Sequence, residues 1–341
     1  MSVTIRKIAE DLNLAVSTVS KALRDSHEIS DETKRRILDY ARKLEYIPNP
    51  YAGSLKNKTT KNIAVVVPEV ADTFFSNAIN GIELVARAKG YHVMIYLTHE
   101  SREREESILQ DLRGGRVDGV LISVSQGVGG NSLIHSQLVT ELPLIFFDRA
   151  CDGVETARVL TDDFESSYKA TQHLVSRGCR EIVFLAAAGE LSITRQRREG
   201  FLKALGDSGV EKPEKHIVMC SEDDDKSFTV IKNALMDKQA VDGVVCSVEK
   251  LAIQAYRVCQ TYTLAIPDRI KIIAFSNLQI AGLLAPSMTT VVQPAFAMGE
   301  AAATLLFKAL AKKLDITKER IVLPSEICER DSTRGTGIFR M

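Results

Sequence analysis

Near its N-terminus the chain reads TIRKIAEDLNLAVSTVSKALR (residues 4–24), and this stretch decides how the first part folds. Apolar residues follow Thr4 at helical spacing, and the Thr4 hydroxyl can accept a hydrogen bond from a free amide at the helix start. Asn13 tolerates a left-handed turn and breaks the pattern. A second apolar stripe begins at Val16. The stretch therefore predicts a helix-turn-helix, with Ala9 as the small residue where the two helices cross.

The second of these helices has an outward face made of short polar groups and two cations. Its members are Ser17, Thr18, Ser20, Lys21 and Arg24. Such groups suit base edges and phosphates in a DNA major groove. For an isolated helix, a solvated surface would be the better interpretation. The paired helix and its basic context favour the DNA-binding one.

A third helix and a linker complete the N-terminal part. Ser30 can cap the third helix, and acidic residues follow it where the helix dipole favours them. The chain then reads YIPNPYAGSLKNK (residues 46–58), with Asn49 and Pro50 as a cap and first-turn pair for another short helix. A helix of one or two turns is unstable alone in water, so this segment is expected to fold against a partner.

From Lys61 onward, short apolar runs alternate with amphipathic stretches. This alternation predicts parallel α/β sheets. The sequence VDGVL (residues 117–121) returns as VDGVV (residues 241–245), which indicates two similar lobes in succession. Small ligands commonly bind at the carboxyl ends of parallel strands, so a ligand site is expected between the lobes.

The composition limits the function classes that remain. Apolar residues make up 45% of the 341 residues and charged residues 26%, which is typical of an ordinary soluble protein. The net charge is zero, but residues 1–61 hold twelve Lys and Arg against eight Asp and Glu, so the first part is basic. The six cysteines are widely spaced, and neither a metal site nor a cofactor is expected. No apolar run is long enough for a membrane span and no signal peptide is evident, so a cytoplasmic protein is predicted.

Three motifs resemble those of the lactose/galactose-repressor (LacI/GalR) family of bacterial transcription factors, and the resemblance extends to about residue 334. They are Thr4-Ile5-x-x-Ile8-Ala9, Val16-Ser17-x-Val19-Ser20, and Tyr46-x-Pro48-Asn49 followed by Ala52 and Leu55. The resemblance implies an all-α helix-turn-helix head (residues 1–47), a hinge helix and linker (residues 48–61), and an α/β body (residues 62–334). The body would consist of two Rossmann-like lobes of the periplasmic-binding-protein-like type I fold.

The same resemblance implies a regulator, more often a repressor, that binds a near-palindromic double-stranded operator as a homodimer. The residues expected to contact DNA are Thr4, Val16, Ser17, Thr18, Lys21, Arg24, Leu55 and Lys56. Among them, Leu55 would wedge into the central base step of the minor groove. The residues expected to bind a small-molecule effector are Phe74, Phe75, Asp162, Arg197 and Ser276. One of the two phenylalanines is expected in the helix core and the other in the cleft.

Several positions depart from the pattern of the family. Ala15 stands where a Ser usually caps the recognition helix, and Gly53 stands where an Arg is common. In the body, Ser276 and Glu249 each replace a usual Asp. The apolar Leu191 and Ile193 stand where some relatives have polar ligand contacts. These changes disfavour a standard hexose as effector and leave a sugar derivative or a phosphorylated metabolite.

Two other classes of function are disfavoured by the sequence. An enzyme is disfavoured because the glycines at 127, 129 and 130 fail the dinucleotide fingerprint at Ser132, and no hydrolase, P-loop or zinc-protease motif occurs. A periplasmic-type solute-binding protein would share the fold of the body. The helix-turn-helix and the missing signal peptide argue against it.

Overall fold

The computed structural model of the chain describes residues 3–46, 59–125, 133–189, 191–221, 223–236, 241–312, 315 and 317–334. The chain divides into two compact units, residues 1–60 and residues 61–341. The described part of the first unit is helical, and the second unit contains both described β-sheets.

The first unit contains the predicted helix-turn-helix. Its described helices are α1 (Ile5–Asp11), α2 (Val16–Ala22) and α3 (Asp31–Lys43). The Thr4 hydroxyl accepts from the Lys7 amide at 3.3 Å and the Ser30 hydroxyl from the Thr33 amide at 3.4 Å, which confirms both predicted caps. Asn13 has a φ of 54°, the predicted left-handed turn residue between α1 and α2.

Small and medium apolar side chains form the core of this unit. The buried members are Ile8, Ala9, Leu12, Val19, Ala22, Ile37 and Ala41. Ala9 is buried at the contact of α1 with α2, as the sequence predicts, and Leu14 packs on the core while half exposed. Arg36 fastens α3 to the turn by donating to the Leu12 carbonyl at 3.1 Å.

Two six-stranded sheets organise the second unit. In the first sheet all pairs are parallel, and the order is β11-β5-β4-β3-β1-β2. Its strands are β1 (Asn62–Val67), β2 (His92–Leu97), β3 (Gly119–Ile122), β4 (Leu144–Phe147), β5 (Arg158–Thr161) and β11 (Arg320–Leu323). Strands β1, β3 and β4 are almost wholly buried, as expected for a parallel sheet covered on both faces.

The second sheet repeats this plan in the order β12-β10-β9-β8-β6-β7. Only its β10–β12 pair is antiparallel. Its strands are β6 (Ile182–Ala186), β7 (Ile217–Met219), β8 (Gly243–Cys246), β9 (Lys271–Phe275), β10 (Thr289–Val292) and β12 (Glu326–Cys328).

Helices cover both sheets and define two lobes. Lobe 1 is the first sheet with α4 (Thr73–Ala88), α5 (Arg102–Leu112), α6 (Leu133–Glu141) and α11 (Ala295–Leu310). Lobe 2 is the second sheet with α7 (Asp163–Ser176), α8 (Ser192–Asp207), α9 (Asp224–Met236) and α10 (Glu249–Thr261). Short 3₁₀ turns at Pro213–His216 and Gln279–Leu283 complete lobe 2. The chain passes between the lobes three times: after β5, after β10 and between β11 and β12.

The repeated Asp-Gly sequence occupies the same place in both lobes, since β3 and β8 are each fourth in their sheet. Asp118 accepts from the Lys61 amide at 3.1 Å at the start of β1. Asp242 accepts from the Arg180 and Glu181 amides at 2.9–3.0 Å at the start of β6. The repeat therefore marks the same arrangement in both lobes, a carboxylate that holds the backbone immediately before the first residue of the neighbouring strand.

Candidate functional site

The outer face of α2 is open to solvent. Val16 is 43% exposed, Ser17, Lys21 and Arg24 are also exposed, and Thr18 is half-buried. Val19 and Ala22, on the opposite face, are fully buried in the core. The helix therefore presents the predicted polar and cationic groups to solvent, while its opposite face is packed on the core and holds its backbone in place.

The two cations of this face make weak intramolecular contacts that a DNA phosphate can replace. Lys21 forms an ion pair with Glu28, and Arg24 donates to the Ser20 carbonyl at 3.1 Å. Lys21 and Glu28 are about half exposed, and an ion pair of this kind contributes no more than about 1 kcal/mol. Replacing Glu28 or the Ser20 carbonyl by a DNA phosphate therefore costs little free energy.

The N-terminus of α2 carries no side-chain cap. Ala15 is the capping residue and makes no side-chain hydrogen bond there, so the first amides of α2 have no side-chain acceptor from it. Thr4 is exposed and already caps α1. The predicted contacts Leu55 and Lys56 lie outside the described residues.

The second candidate site is a cleft between the two lobes. It encloses about 380 Å³ of space, part of it open to solvent, at the carboxyl ends of strands from both sheets. Residues from both lobes line it: Asp72, Phe74, Phe75, Asp148, Arg149, Ile193, Arg197, Val248, Glu249, Phe275, Ser276, Asn277 and Gln293. This is where doubly wound sheets usually bind small molecules.

Arg197 is the most enclosed charge in the cleft, with only 2% of its surface exposed. Its Nε donates to Asp163 Oδ1 at 2.6 Å and its Nη1 to the Ser247 carbonyl at 2.6 Å. The guanidinium lies 4.1 Å from the centre of the Phe275 ring. Among the described residues, Nη2 has no hydrogen-bond acceptor. A buried donor in that state is costly, so a ligand oxygen or nitrogen is its expected partner.

Asp148 and Arg149 form the wall contributed by lobe 1. Burial raises the pKa of Asp148 to about 6, against the lowering effect of Arg149 and Arg197. The Ser123 hydroxyl donates to Asp148 at 3.3 Å, and Arg149 Nε lies 3.5 Å from the same oxygen. Arg149 also donates to Glu100 at 2.8 Å and lies 5.6 Å from the Phe75 ring centre.

Glu249 supplies an acid from lobe 2. The Ser276 hydroxyl donates to its Oε2 at 2.6 Å, and the Thr73 hydroxyl of lobe 1 also hydrogen-bonds to it. Burial raises the pKa of Glu249, and the negative charge of Asp72 acts in the same direction. Ser276 therefore positions a carboxylate and does not simply replace one.

Four of the five predicted effector residues line the cleft. Phe74 and Phe75 both do so although both are buried, and their rings meet edge to face with centroids 5.3 Å apart. Arg197 and Ser276 line it as well. Asp162 does not: its Oδ1 accepts from the Ser166 hydroxyl and the Ser325 amide, so its carboxylate holds α7 to the segment between β11 and β12. A direct role of Asp162 in binding stays a prediction without geometric support.

Sequence reasoning missed Asp72, Asp148 and Arg149 in the lining, and it selected Asp162 rather than the adjacent Asp163, which holds Arg197. A signal was available for two of them, because Asp148 and Arg149 directly follow an apolar run that ends a strand. Asp72 caps α4, accepting from the Phe74 amide at 2.8 Å, and therefore looks like an ordinary helix start.

Comparisons with known proteins agree with this division of the chain. The family model described as bacterial regulatory proteins, lacI family, matches residues 4–49. The model described as a periplasmic binding protein-like domain matches residues 171–333.

Three curated relatives align with this chain over nearly its whole length. The chain is 28% identical to the HTH-type transcriptional regulator RegA of Clostridium saccharobutylicum over 98% of this chain and all of that protein. It is 29% identical to the repressor PurR of Mannheimia succiniciproducens, over 97% of this chain and 98% of that protein. It is also 29% identical to the ribose operon repressor of Halalkalibacterium halodurans, over 97% of each.

Two solved structures share the fold. The lac repressor dimer bound to operator and the anti-inducer ONPF superposes with a TM-score of 0.86 at 19% identity, covering 98% of this chain and all of that one. The complex of the transcriptional regulator CelR with cellobiose gives a TM-score of 0.72 at 23% identity, covering 97% of this chain and 99% of that one.

Proposed function

We propose that this chain is a member of the lacI family of bacterial regulatory proteins, a transcriptional repressor whose affinity for DNA is set by a small molecule held between its lobes. The observation that carries the DNA-binding part is the exposed polar face of α2 on a helix whose other face is buried. The observation that carries the regulatory part is the buried, incompletely bonded Arg197 in the cleft.

In the proposed complex α2 lies in the major groove. Val16, Ser17 and Lys21 read base edges, because they are exposed on one face of a fixed helix. Thr4, Thr18 and Arg24 would contact the phosphate backbone. The minor-groove roles of Leu55 and Lys56 rest on the family resemblance alone.

The repressor is proposed to bind its near-palindromic operator as a homodimer. Large apolar side chains on the surface of lobe 2 support this, because water-exposed apolar clusters commonly mark protein interfaces. Ile253 of α10 is 44% exposed, Ile280 is 52% exposed and Leu283 is 83% exposed. In a two-fold dimer the same surface of each subunit is used, which matches a two-fold operator.

The proposed effector is a small molecule such as a sugar derivative or another metabolite, bound by residues of both lobes. The three segments that pass between the lobes connect the effector site to the angle between the lobes. Gln293, on the passage after β10, donates to Thr161 at 3.3 Å, and Thr161, the last residue of β5, donates to Asp163 at 3.0 Å. Asp163 in turn holds Arg197, so a ligand on Arg197 would act directly on the passages that set the angle between lobes.

A regulator of this kind works where chromosomal DNA is, so we propose a cytoplasmic location. No helix in the described part of the chain is long and apolar enough to cross a membrane. The first unit, with its matched lacI model, distinguishes this chain from a solute-binding protein, which would need only the lobes. A regulatory role rather than an enzymatic one is proposed on the same ground.

Selection of bound duplexes from a random library tests the function and identifies the operator in the same experiment. The purified chain should enrich one near-palindromic sequence, and Lys21→Ala should weaken binding to it in a gel-shift titration. Lys203→Ala is the matched control, because Lys203 is also exposed and paired with a carboxylate, Asp207, but lies in the second unit. Failure to enrich any sequence would refute the proposed function.

A further inference from the structure

The two arginines of the cleft are already compensated by carboxylates behind them. Arg197 is held by Asp163 at 2.6 Å, and both side chains are about 97% buried. Arg149 is held by Glu100 at 2.8 Å. An anionic ligand is therefore not needed to neutralise either cation.

The carboxylates of the lining are compensated less well. Asp148 has to share the charge of Arg149 with Glu100, and the Arg149 Nε lies 3.5 Å from the Asp148 carboxylate. In the part of the chain that the structure describes, no Lys, Arg or His nitrogen lies within 4.0 Å of the carboxylates of Asp72 or Glu249. When the partners Glu100 and Asp163 are included, five carboxylates stand against two guanidinium groups, so the charged groups around the cavity carry an excess of negative charge.

Asp72 and Glu249 come from opposite lobes. Asp72 precedes α4 of lobe 1, and Glu249 is the first residue of α10 of lobe 2. Both line the same cavity, so their like charges repel each other. Burial raises the pKa of Glu249, and the charge of Asp72 acts in the same direction. Closure of the two lobes on each other brings these like charges together.

A second observation points to a ligand with an accepting atom. Arg197 Nη2 is buried, lines the cavity and has no acceptor among the described residues. Arg149 Nε is a second buried donor of the lining without an acceptor among the described residues. The site therefore offers two unused donors beside an excess of carboxylates, a combination that suits a ligand carrying both a donating cation and accepting oxygens.

We propose that the effector bears a cationic amine, which binds between Asp72 of lobe 1 and Glu249 of lobe 2 while an oxygen of the same ligand accepts from Arg197. An amino sugar or an amino polyol has this chemistry. The inference rests on the proposed function, because it takes the cleft to be the effector site. It excludes the phosphorylated metabolite that the sequence leaves open.

The position of the amine also gives it a regulatory effect. A cation between two carboxylates on opposite lobes replaces their repulsion by two attractions, and so it favours the closed cleft. A neighbouring pocket that shares Asp72 and Arg149 with the cavity has mixed charge, with Glu69 and Glu100 beside Lys250.

The test is calorimetric titration of the full-length chain at pH 7.5 with sets of probes that share a carbon skeleton and carry an amine, only hydroxyl groups or a phosphate. The sets are D-glucosamine, D-glucose and D-glucose 6-phosphate; D-galactosamine, D-galactose and D-galactose 6-phosphate; and glucamine, sorbitol and sorbitol 6-phosphate. In each set that binds, we expect the amine to bind about tenfold more tightly than the neutral member, a difference of about 1.4 kcal/mol. A neutral or phosphorylated member that binds as tightly as the amine, or failure of every amine to bind, would overturn the proposal.

Two conservative variants locate the amine. Asp72→Asn keeps a good helix cap and Glu249→Gln keeps its shape, so both are expected to fold. Each should abolish most of the tenfold preference, whereas the exposed Asp207→Asn should leave it unchanged. A preference for the amine that remains in both cleft variants would contradict the proposal, because the two carboxylates would then have only structural roles, Asp72 as the cap of α4 and Glu249 as the partner of Ser276. Duplex selection by the ligand-free chain is a separate readout, so a failure of DNA binding is distinguished from a failure of the amine preference.

Discussion

Replacing Asp148 by Asn is expected to stabilise the ligand-free protein, and more so as the pH rises. Burial raises the folded-state pKa of Asp148 from 3.8 to about 6, so the folded protein disfavours the ionised carboxylate. The stability that the protonated form provides is fully present below about pH 3.8 and is lost as the pH rises through about 6. A difference of about 2 pKa units corresponds to about 3 kcal/mol.

The substitution is well matched to the site. Asp148 has a φ of 61°, a backbone conformation that Asn tolerates better than most residues, and an amide oxygen can still accept from Ser123. The charged and titratable groups that act on Asp148 are Arg149 and Arg197, which favour its ionised form, and Asp163 and Asp72, which oppose it.

Urea unfolding followed by circular dichroism, at intervals from pH 4 to pH 8, measures the effect. The free energy of unfolding of Asp148→Asn should equal that of the unsubstituted protein near pH 4 and exceed it by about 3 kcal/mol near pH 8. Asp152→Asn is the control for removal of a carboxylate from the same loop, because the Asp152 side chain is 74% exposed. A constant difference for Asp148→Asn across the range would refute the reasoning.

Three further outcomes are expected. Gly200→Ala should lower stability by about 1–3 kcal/mol, because a Cβ there would lie 2.1 Å from the Phe164 carbonyl oxygen. Gly206→Ala on the same helix meets nothing within 4 Å and should be neutral or stabilising in thermal unfolding; equal effects of the two would contradict the packing argument. Asp163→Ala should cost about 3–5 kcal/mol, since it leaves Arg197 charged and buried without its partner, and an unchanged melting temperature would show that this pair contributes nothing. Finally, the logarithm of the operator affinity should fall linearly with that of the salt concentration, by about 0.9 per phosphate contact, and a flat plot would remove the phosphates from the account.

The fold was largely predictable because its local signals agree with its packing. The cap at Thr4, the turn at Asn13 and the buried side of α2 each follow from a single residue type at a single spacing. The strand pattern likewise predicted a parallel arrangement in both lobes, since buried strands show continuous apolar runs. The antiparallel β10–β12 pair lies outside that pattern because β12 returns from the other lobe.

The cleft was predictable only in part, because its chemistry depends on which of two neighbouring polar residues turns inward. Asp162 and Asp163 are adjacent carboxylates, yet one holds a backbone amide of another segment and the other holds Arg197. The sequence does not predict this difference, since the partners Ser325 and Arg197 are distant along the chain. Glu249 and Ser276 are distant in sequence, and only the fold shows that they act as one group.

The most direct test of the account is the affinity of the purified chain for its selected duplex, measured against random competitor DNA with and without the amine that binds best. The account predicts a preference of about a thousandfold or more for the selected site. It also predicts a change of about tenfold or more in that affinity when the cleft is filled, and loss of this change in Arg197→Ala, whose DNA binding remains. Equal affinity for selected and random duplexes, whatever the ligand, would contradict it.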